Sequence, residues 1–249
     1  MAGENTGLLA THHWRPFTSF GFEHSFFDLN ADTLIYTWLT LIILAIGIIA
    51  MQRALKKGSG FLYFLVTSVT SFTMDFVSQA LGTFSLTHYC FIGTLFTFIL
   101  LCNTLSLLPL AEEPTNDLNT TLALGIISFF YIQTNAIRAH GIKNYSKEFF
   151  SPIFIMFPLH VVGKLATIVS ISFRLFGNIF GSAIITKIWL QALGTSALYE
   201  LLGIALGANL AIMLFFGLFE GFLQAFVFSM LTVTNLAIAI NKEEEVLEV

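Results

Sequence analysis

Charge is what this sequence has least of. Only 10% of its 249 residues are Asp, Glu, Lys or Arg, where a soluble domain carries about 25%. That scarcity, with 56% hydrophobic residues, 28 Phe and a mean hydropathy of +0.82, excludes an ordinary water-soluble domain. Cysteine is almost absent. Cys90 and Cys102 both fall in or beside one apolar segment, which argues against a disulfide framework. No basic stretch followed by an apolar one opens the chain, so no signal peptide is expected and the first spanning helix itself must direct insertion. There is no phosphate loop, nucleophile elbow or nucleic-acid patch, and His12, His13, His24, His88 and His140 lack metal-ligand spacing. No cofactor, metal or nucleic-acid partner is implied, and nucleotide chemistry must belong to other proteins.

What is present is a polytopic, all-α integral membrane protein, because unpaired backbone groups are prohibitive in hydrocarbon. Residues 1–31 read as an outside tail, followed by a spanning helix over 33–52. The segment 61–82, less uniformly apolar and holding Asp75 among Ser, Thr and Gln, reads as an in-plane amphipathic helix, with Asp75 on its solvated face. Spanning helices are expected over 90–109 and 120–137. Two long apolar stretches then form a hairpin over 152–240, closed near Ala192–Ser196. About five spanning helices plus the in-plane helix result.

The last two stretches exceed a simple span. A helix from Leu159 to Leu193 would extend about 50 Å at 1.5 Å per residue, against a hydrocarbon core of about 30 Å. They must break or lie strongly tilted. Gly177 and Gly181 on one, and Gly217, Gly221 and Ala225 on the other, offer small-residue stripes for close helix approach.

Loop charges set the orientation. Arg53, Lys56, Lys57, Arg138, Lys143, Lys147 and Lys242 fall on one side, opposed by Arg15, Glu23, Asp28, Asp32, Glu112, Glu113 and Asp117. The positive-inside rule then places the N-terminus outside and the C-terminus in the cytoplasm.

Against this background Arg174 stands out as the only ionisable side chain in the 22-residue run 165–186. An arginine stays charged at any physiological pH. At the centre of a spanning helix it costs from about 2.5 to more than 10 kcal/mol, depending on how water and neighbours reach it. It either snorkels to the interface or works where it lies, and the apolar residues running on for about two to three turns on both sides favour the second. Ser170, Arg174 and Asn178, at four-residue intervals, share a helix face. His160 and Lys164 are also four apart. Lys164 is read as an interfacial anchor in preference to a path residue. On the last stretch Glu220 is the only charged residue between Leu201 and Asn241, with Gln224 one turn beyond. Packed as a hairpin, Arg174, Asn178, Glu220 and Gln224 converge near mid-membrane. Either Arg174 and Glu220 neutralise each other statically, or carboxylate and amides form a proton path beside a fixed positive charge.

The run SFRLFGN (172–178) with LQAFVF (223–228) resembles subunit a of F-type ATP synthase, the membrane stator facing the rotating c-ring. LLCNTLSLLP (100–109) is similar to that family's Asn-bearing third helix, and PTNDLNTTLALG (114–125) to its loop and following helix. The resemblance covers nearly everything from about residue 30. It implies that Arg174 is the essential stator arginine, and that Asn178 and Gln224 are its polar neighbours. It also implies that His160 and Ser170 lie on the cytoplasmic half-channel. Implied partners are the c-ring, peripheral-stalk b subunits, the lipid bilayer and translocated protons, in a bacterial inner membrane or alternatively an organellar one. The sequence departs from the family at Ala183 and Gly217, where many members carry acidic or histidine side chains, and Glu220 becomes the substitute acid of the outer half-channel. Glu200 near the outer turn is a further acidic candidate for that entrance. The competing reading, a self-contained ion channel or secondary transporter, predicts an internal repeat, and the spans before residue 140 do not resemble the long stretches after it.

Overall fold

The computed structural model describes residues 13–14, 29–82, 84–107, 113–150, 157–193 and 207–241. Most of the N-terminal tail, Pro109, Glu112, residues 194–196 of the turn expected near Ala192–Ser196, Glu200 and Lys242 lie outside these.

Two short strands, β1 (His13–Trp14) and β2 (Leu29–Asn30), pair antiparallel. All other regular structure among the described residues is helical. The long helices are α1 (Ala31–Lys57), α2 (Phe61–Leu81), α3 (Leu86–Thr104), α4 (Leu118–Phe150) and α5 (Phe157–Leu193). The last stretch is composite: a short α6 (Ala208–Met213), a π-helical segment (Leu214–Glu220) and α7 (Gly221–Asn241). Among the described residues six helices are long and apolar enough to cross a membrane: Thr33–Lys57, Phe61–Leu81, Leu86–Thr104, Leu118–Tyr145, Phe157–Trp189 and Leu210–Asn241. The segment 61–82, read from sequence as amphipathic, is thus a sixth helix of sufficient length and apolarity. Asp75 is exposed on it, while Val66, Thr73, Val77 and Leu81 form its buried stripe.

Contacts between helices define two poles. At one, Thr33 on α1 donates to Asp117 (3.2 Å), and Thr115 in the 3-10 turn Pro114–Asn116 donates to Asn103 at the end of α3 (2.8 Å). At the other, His88 at the start of α3 meets Tyr131 of α4 (2.8 Å), and His140 meets the carbonyl of Ala239 on α7 (2.8 Å). The helices α3, α4, α5 and α7 therefore alternate in direction. Glu113 and Asp117 mark the first pole as acidic; Arg138 and Lys143, following Tyr131, mark the second as basic.

Two apolar clusters hold the bundle. Leu95, Phe96 and Ile99 of α3 pack with Ile171, Leu175 and Ile179 of α5 and with Ala225 and Phe228 of α7. Nearer the basic pole, Val77 and Leu81 of α2 join Ile92, Ile132, Val233 and Leu236. The i, i+4 spacing of 171, 175 and 179 gives α5 one face toward the protein. Its other face stays open, with Ser170, Arg174, Gly177 and Asn178 exposed. No atom comes within 4 Å of where a side chain at Gly177 or Gly181 would begin. That pair faces outward and does not pack on the last helix. Gly217, Gly221 and Ala225, in contrast, are all buried.

At 37 residues α5 runs unbroken, about 55 Å at 1.5 Å per residue, so within a core of about 30 Å it must tilt strongly. Where α4 crosses α5 the backbones come close. A Cβ at Gly125 would collide with Ser172 Oγ and lie 3.4 Å from both the Ile168 side chain and its carbonyl oxygen. We expect Gly125→Val to force α4 and α5 apart at a cost of ~1–3 kcal/mol, the usual scale of overpacking. Thermal denaturation of the detergent-solubilised protein should register the loss.

Candidate functional site

Arg174 sits at an edge of the α5 face that buries Leu175, so the packing that fixes the helix also fixes the guanidinium at the surface. Beside it is an open cleft of about 390 Å³, lined by Arg174 and Asn178 from α5, Phe215, Phe216, Phe219 and Glu220 from the π segment, and Leu223, Gln224 and Val227 from α7. Four of the six residues singled out in the sequence thus come together here. Asn178 Nδ2 donates to Gln224 Oε1 at 2.7 Å, and Gln224 is only 3% exposed. Among the described residues its Nε2 has no hydrogen-bond partner, and neither has the buried Oε2 of Glu220. Arg174 and Glu220 share the cleft without forming an ion pair. The static neutralising pair considered from the sequence does not occur.

The other two residues lie elsewhere. Ser170 is exposed on the same face of α5 one turn toward the basic pole, outside the cleft lining. His160 lies 14 residues before Arg174, about 21 Å along the helix, with a buried Nε2 that lacks a partner. Gly217 is buried and brings no side chain to the cleft, whereas Glu220, three residues on, lines it.

A second cavity, about 210 Å³, lies nearer the basic pole between α4, α5 and α7. Its polar wall comprises Gln133, Tyr145, Lys164, Thr167 and Asn235. Lys164 Nζ lies 3.0 Å from Tyr145 Oη, 3.3 Å from Gln133 Oε1 and 4.5 Å from the centre of the Tyr145 ring, and the Tyr145 hydroxyl also donates to Gln133. This network ties Lys164 into the protein, unlike a simple interfacial anchor. Gln133, Tyr145 and Asn235 were not identified from sequence. Tyr145 reaches Gln133 because α4 kinks at Gly141, whose φ of 76° favours glycine. The only sequence signal was the glycine itself. Asn235 follows Gln224 by about three turns, a weak cue among the many polar residues of α7.

The sequence pattern of the ATP synthase A chain family matches residues 34–237. ATP synthase subunit a 2 of Acaryochloris marina is 30% identical over 91% of this chain and 92% of its own length. ATP synthase subunit a 2 of Picosynechococcus is 32% identical over 90% and 91%. A sodium-ion-specific ATP synthase subunit a from Propionigenium modestum is 29% identical over 85% of this chain and 75% of its own. With a match across more than four-fifths of its length, the chain belongs to the ATP synthase subunit a family.

Proposed function

We propose that this chain is the proton-translocating stator of its ATP synthase, with Arg174 as the fixed charge between two offset half-channels. As a member of the family it is a multi-pass membrane component of an ATP synthase complex. The observation that carries the finer reading is an exposed arginine in a long apolar helix, sharing a cleft with an acid that it does not neutralise. A cation left uncompensated within hydrocarbon needs a partner outside the chain. The open α5 face around it, with Gly177 and Gly181, suits close approach by other helices, here those of the c-ring.

The two cavities support offset paths. The Glu220 cleft lies on the acidic-pole side, since Gly221 is bonded to Asn103 and through it to Thr115. The Lys164 cavity lies ten residues before Arg174 on α5, about 15 Å toward the basic pole. We assign the acidic pole to the outside and the basic pole to the cytoplasm of a bacterial inner membrane, by the positive-inside rule. Protons then load through Glu220, Gln224 and Asn178 and leave past Ser170, Lys164 and His160. Near Arg174 a ring carboxyl favours its ionised form, because an opposite charge within about 4–6 Å stabilises it. The same cation blocks direct leakage between the two paths. Each charge moved through a potential of 100 mV gains about 2.3 kcal/mol. Peripheral-stalk b subunits would hold the chain against the resulting torque.

The placement of α2 is part of this reading. It receives the chain from the basic end of α1 and delivers it to α3, which starts at the basic pole. Its Phe72 and Phe76 meet Phe226 of α7, with ring centres 6.1 and 5.5 Å apart. With both ends tied to one side, α2 slants along the cytoplasmic face and leaves five helices to cross.

The assembled complex in inverted vesicles tests the ion assignment. ATP should drive acidification in nominally sodium-free buffer, and a protonophore should collapse it. Transport that requires sodium and resists protonophore would overturn the proton reading.

A further inference from the structure

We propose that Asn103, locked by Thr115, is a positioning residue for Glu220: it fixes the wide π turn that aims this carboxylate into the Arg174 cleft. The inference rests on the proton-path reading above.

The geometry begins with the backbone. Residues 214–220 form a π segment, and α7 starts at Gly221. A π turn is uncommon and energetically inferior to an α turn, and such turns occur often at functional sites. Something outside the segment should therefore secure it. Asn103 Nδ2 donates to the carbonyl of Gly221 at 3.1 Å, on the residue that follows Glu220. The approach is close enough that a Cβ at Gly221 would lie 3.0 Å from the Cβ of Asn103. Any larger residue would have to push the two segments apart by a few tenths of an ångström.

The Gly221 carbonyl, which can only accept, fixes the Asn103 amide with Nδ2 toward it. Oδ1 then faces Thr115, whose hydroxyl donates to it at 2.8 Å and holds the amide in that setting. A flipped amide would set Oδ1 against the Gly221 carbonyl, acceptor to acceptor. Both residues are fully enclosed, Asn103 at 1% and Thr115 at 0% exposure, and water cannot readily replace either bond. Thr115 is fixed in turn by the turn that begins at Pro114 and by the neighbouring Asp117, which accepts from Thr33 of α1. A continuous path of contacts thus runs from the acidic-pole loop to the backbone beside Glu220. Within the cleft Arg174 is the charged group that faces Glu220, and Glu113 lies in the loop that carries Thr115.

The test uses the intact ATP synthase in inverted vesicles, with transport normalised to the amount of assembled complex. Thr115→Val keeps the shape and removes the hydroxyl, and Asn103→Asp replaces the amide donor with an oxygen. Each should lower ATP-driven proton transport ~10-fold, within the range an ångström-scale misplacement produces in a reactive constellation. Each should also shift the midpoint of the pH profile, and Thr115→Ser should restore both rate and midpoint. A merely structural bond predicts less assembled complex with an unchanged profile per complex, and that result overturns the proposal, as does wild-type behaviour in both variants. Should Thr115→Val not assemble, Asn103→Asp is read by the same criteria. Glu220→Gln, run alongside, separates two kinds of failure. Normal transport in that variant removes Glu220 from the path and this inference with it. Blocked transport there, with an unaltered profile in Thr115→Val, removes only the positioning role.

Discussion

Inverted vesicles carrying Arg174→Ala should contain fully assembled ATP synthase and fail to acidify when supplied with ATP. The fold should tolerate the change, because the guanidinium is exposed and forms no ion pair with the chain's own described residues. What disappears is the partner for the ring carboxylate. Two unit charges 4 Å apart at an effective dielectric constant of 20 attract by about 4 kcal/mol. At about 1.4 kcal/mol per decade, that corresponds to a roughly 1000-fold change in the ionised population. The ring carboxyl would then pass the stator still protonated, and the barrier to direct leakage would vanish with the cation. Passive proton leak through complexes lacking active rotation should therefore rise. Arg174→Lys should fail too, since an ammonium is compact, deprotonates when desolvated and lacks the planar fork. Undiminished pumping in assembled Arg174→Ala complexes would reduce Arg174 to a structural charge.

Much of this was legible in the sequence, for a physical reason. Charge in hydrocarbon is costly, so each ionisable residue inside an apolar run carries information that a surface charge would not. Arg174 and Glu220 stood out on that ground alone, and the helical period placed Ser170, Arg174 and Asn178 on one face. The all-helical class followed from composition, because backbone groups in lipid must pair internally. What stayed hidden depends on contacts between distant segments. The run LFFGLFE has the composition of any membrane helix, and nothing local distinguishes a π turn from an α turn. The Lys164 cavity needs the kink at Gly141 to fold Tyr145 back on Gln133. Gly177 and Gly181 offer a stripe for close helix approach, but such a stripe does not reveal whether its partner is in the same chain, and here it faces outward. The two long stretches were expected to break or to tilt. In the structure α5 is one continuous helix, while the described part of the last stretch has its α-helical winding interrupted by the π segment.

That interruption sharpens the second large prediction, Glu220→Gln. The substitution preserves volume and shape and removes only the ability to exchange a proton. Because Glu220 Oε2 has no hydrogen-bond partner among the described residues, no bond to them is lost and assembly should be unaffected. Proton transport should fall by ~100-fold or more, the lower range for removing a positioned proton-transfer group. Glu220→Asp should keep part of the rate, its carboxyl remaining in the cleft one methylene short. A further variant distinguishes a requirement for this position from a requirement for any acid nearby. Many family members place an acidic or histidine side chain seven residues before the glutamine, where this chain has Gly217. On a regular helix seven residues complete nearly two turns and return to the same face. Here the π segment lowers the rotation per residue, so Gly217 is turned inward and buried while Glu220 takes the cleft. Gly217→Glu should therefore fail to rescue Glu220→Gln. Rescue would mean that the π turn relaxes in the working enzyme, and normal pumping by Glu220→Gln alone would take the acid out of the path altogether.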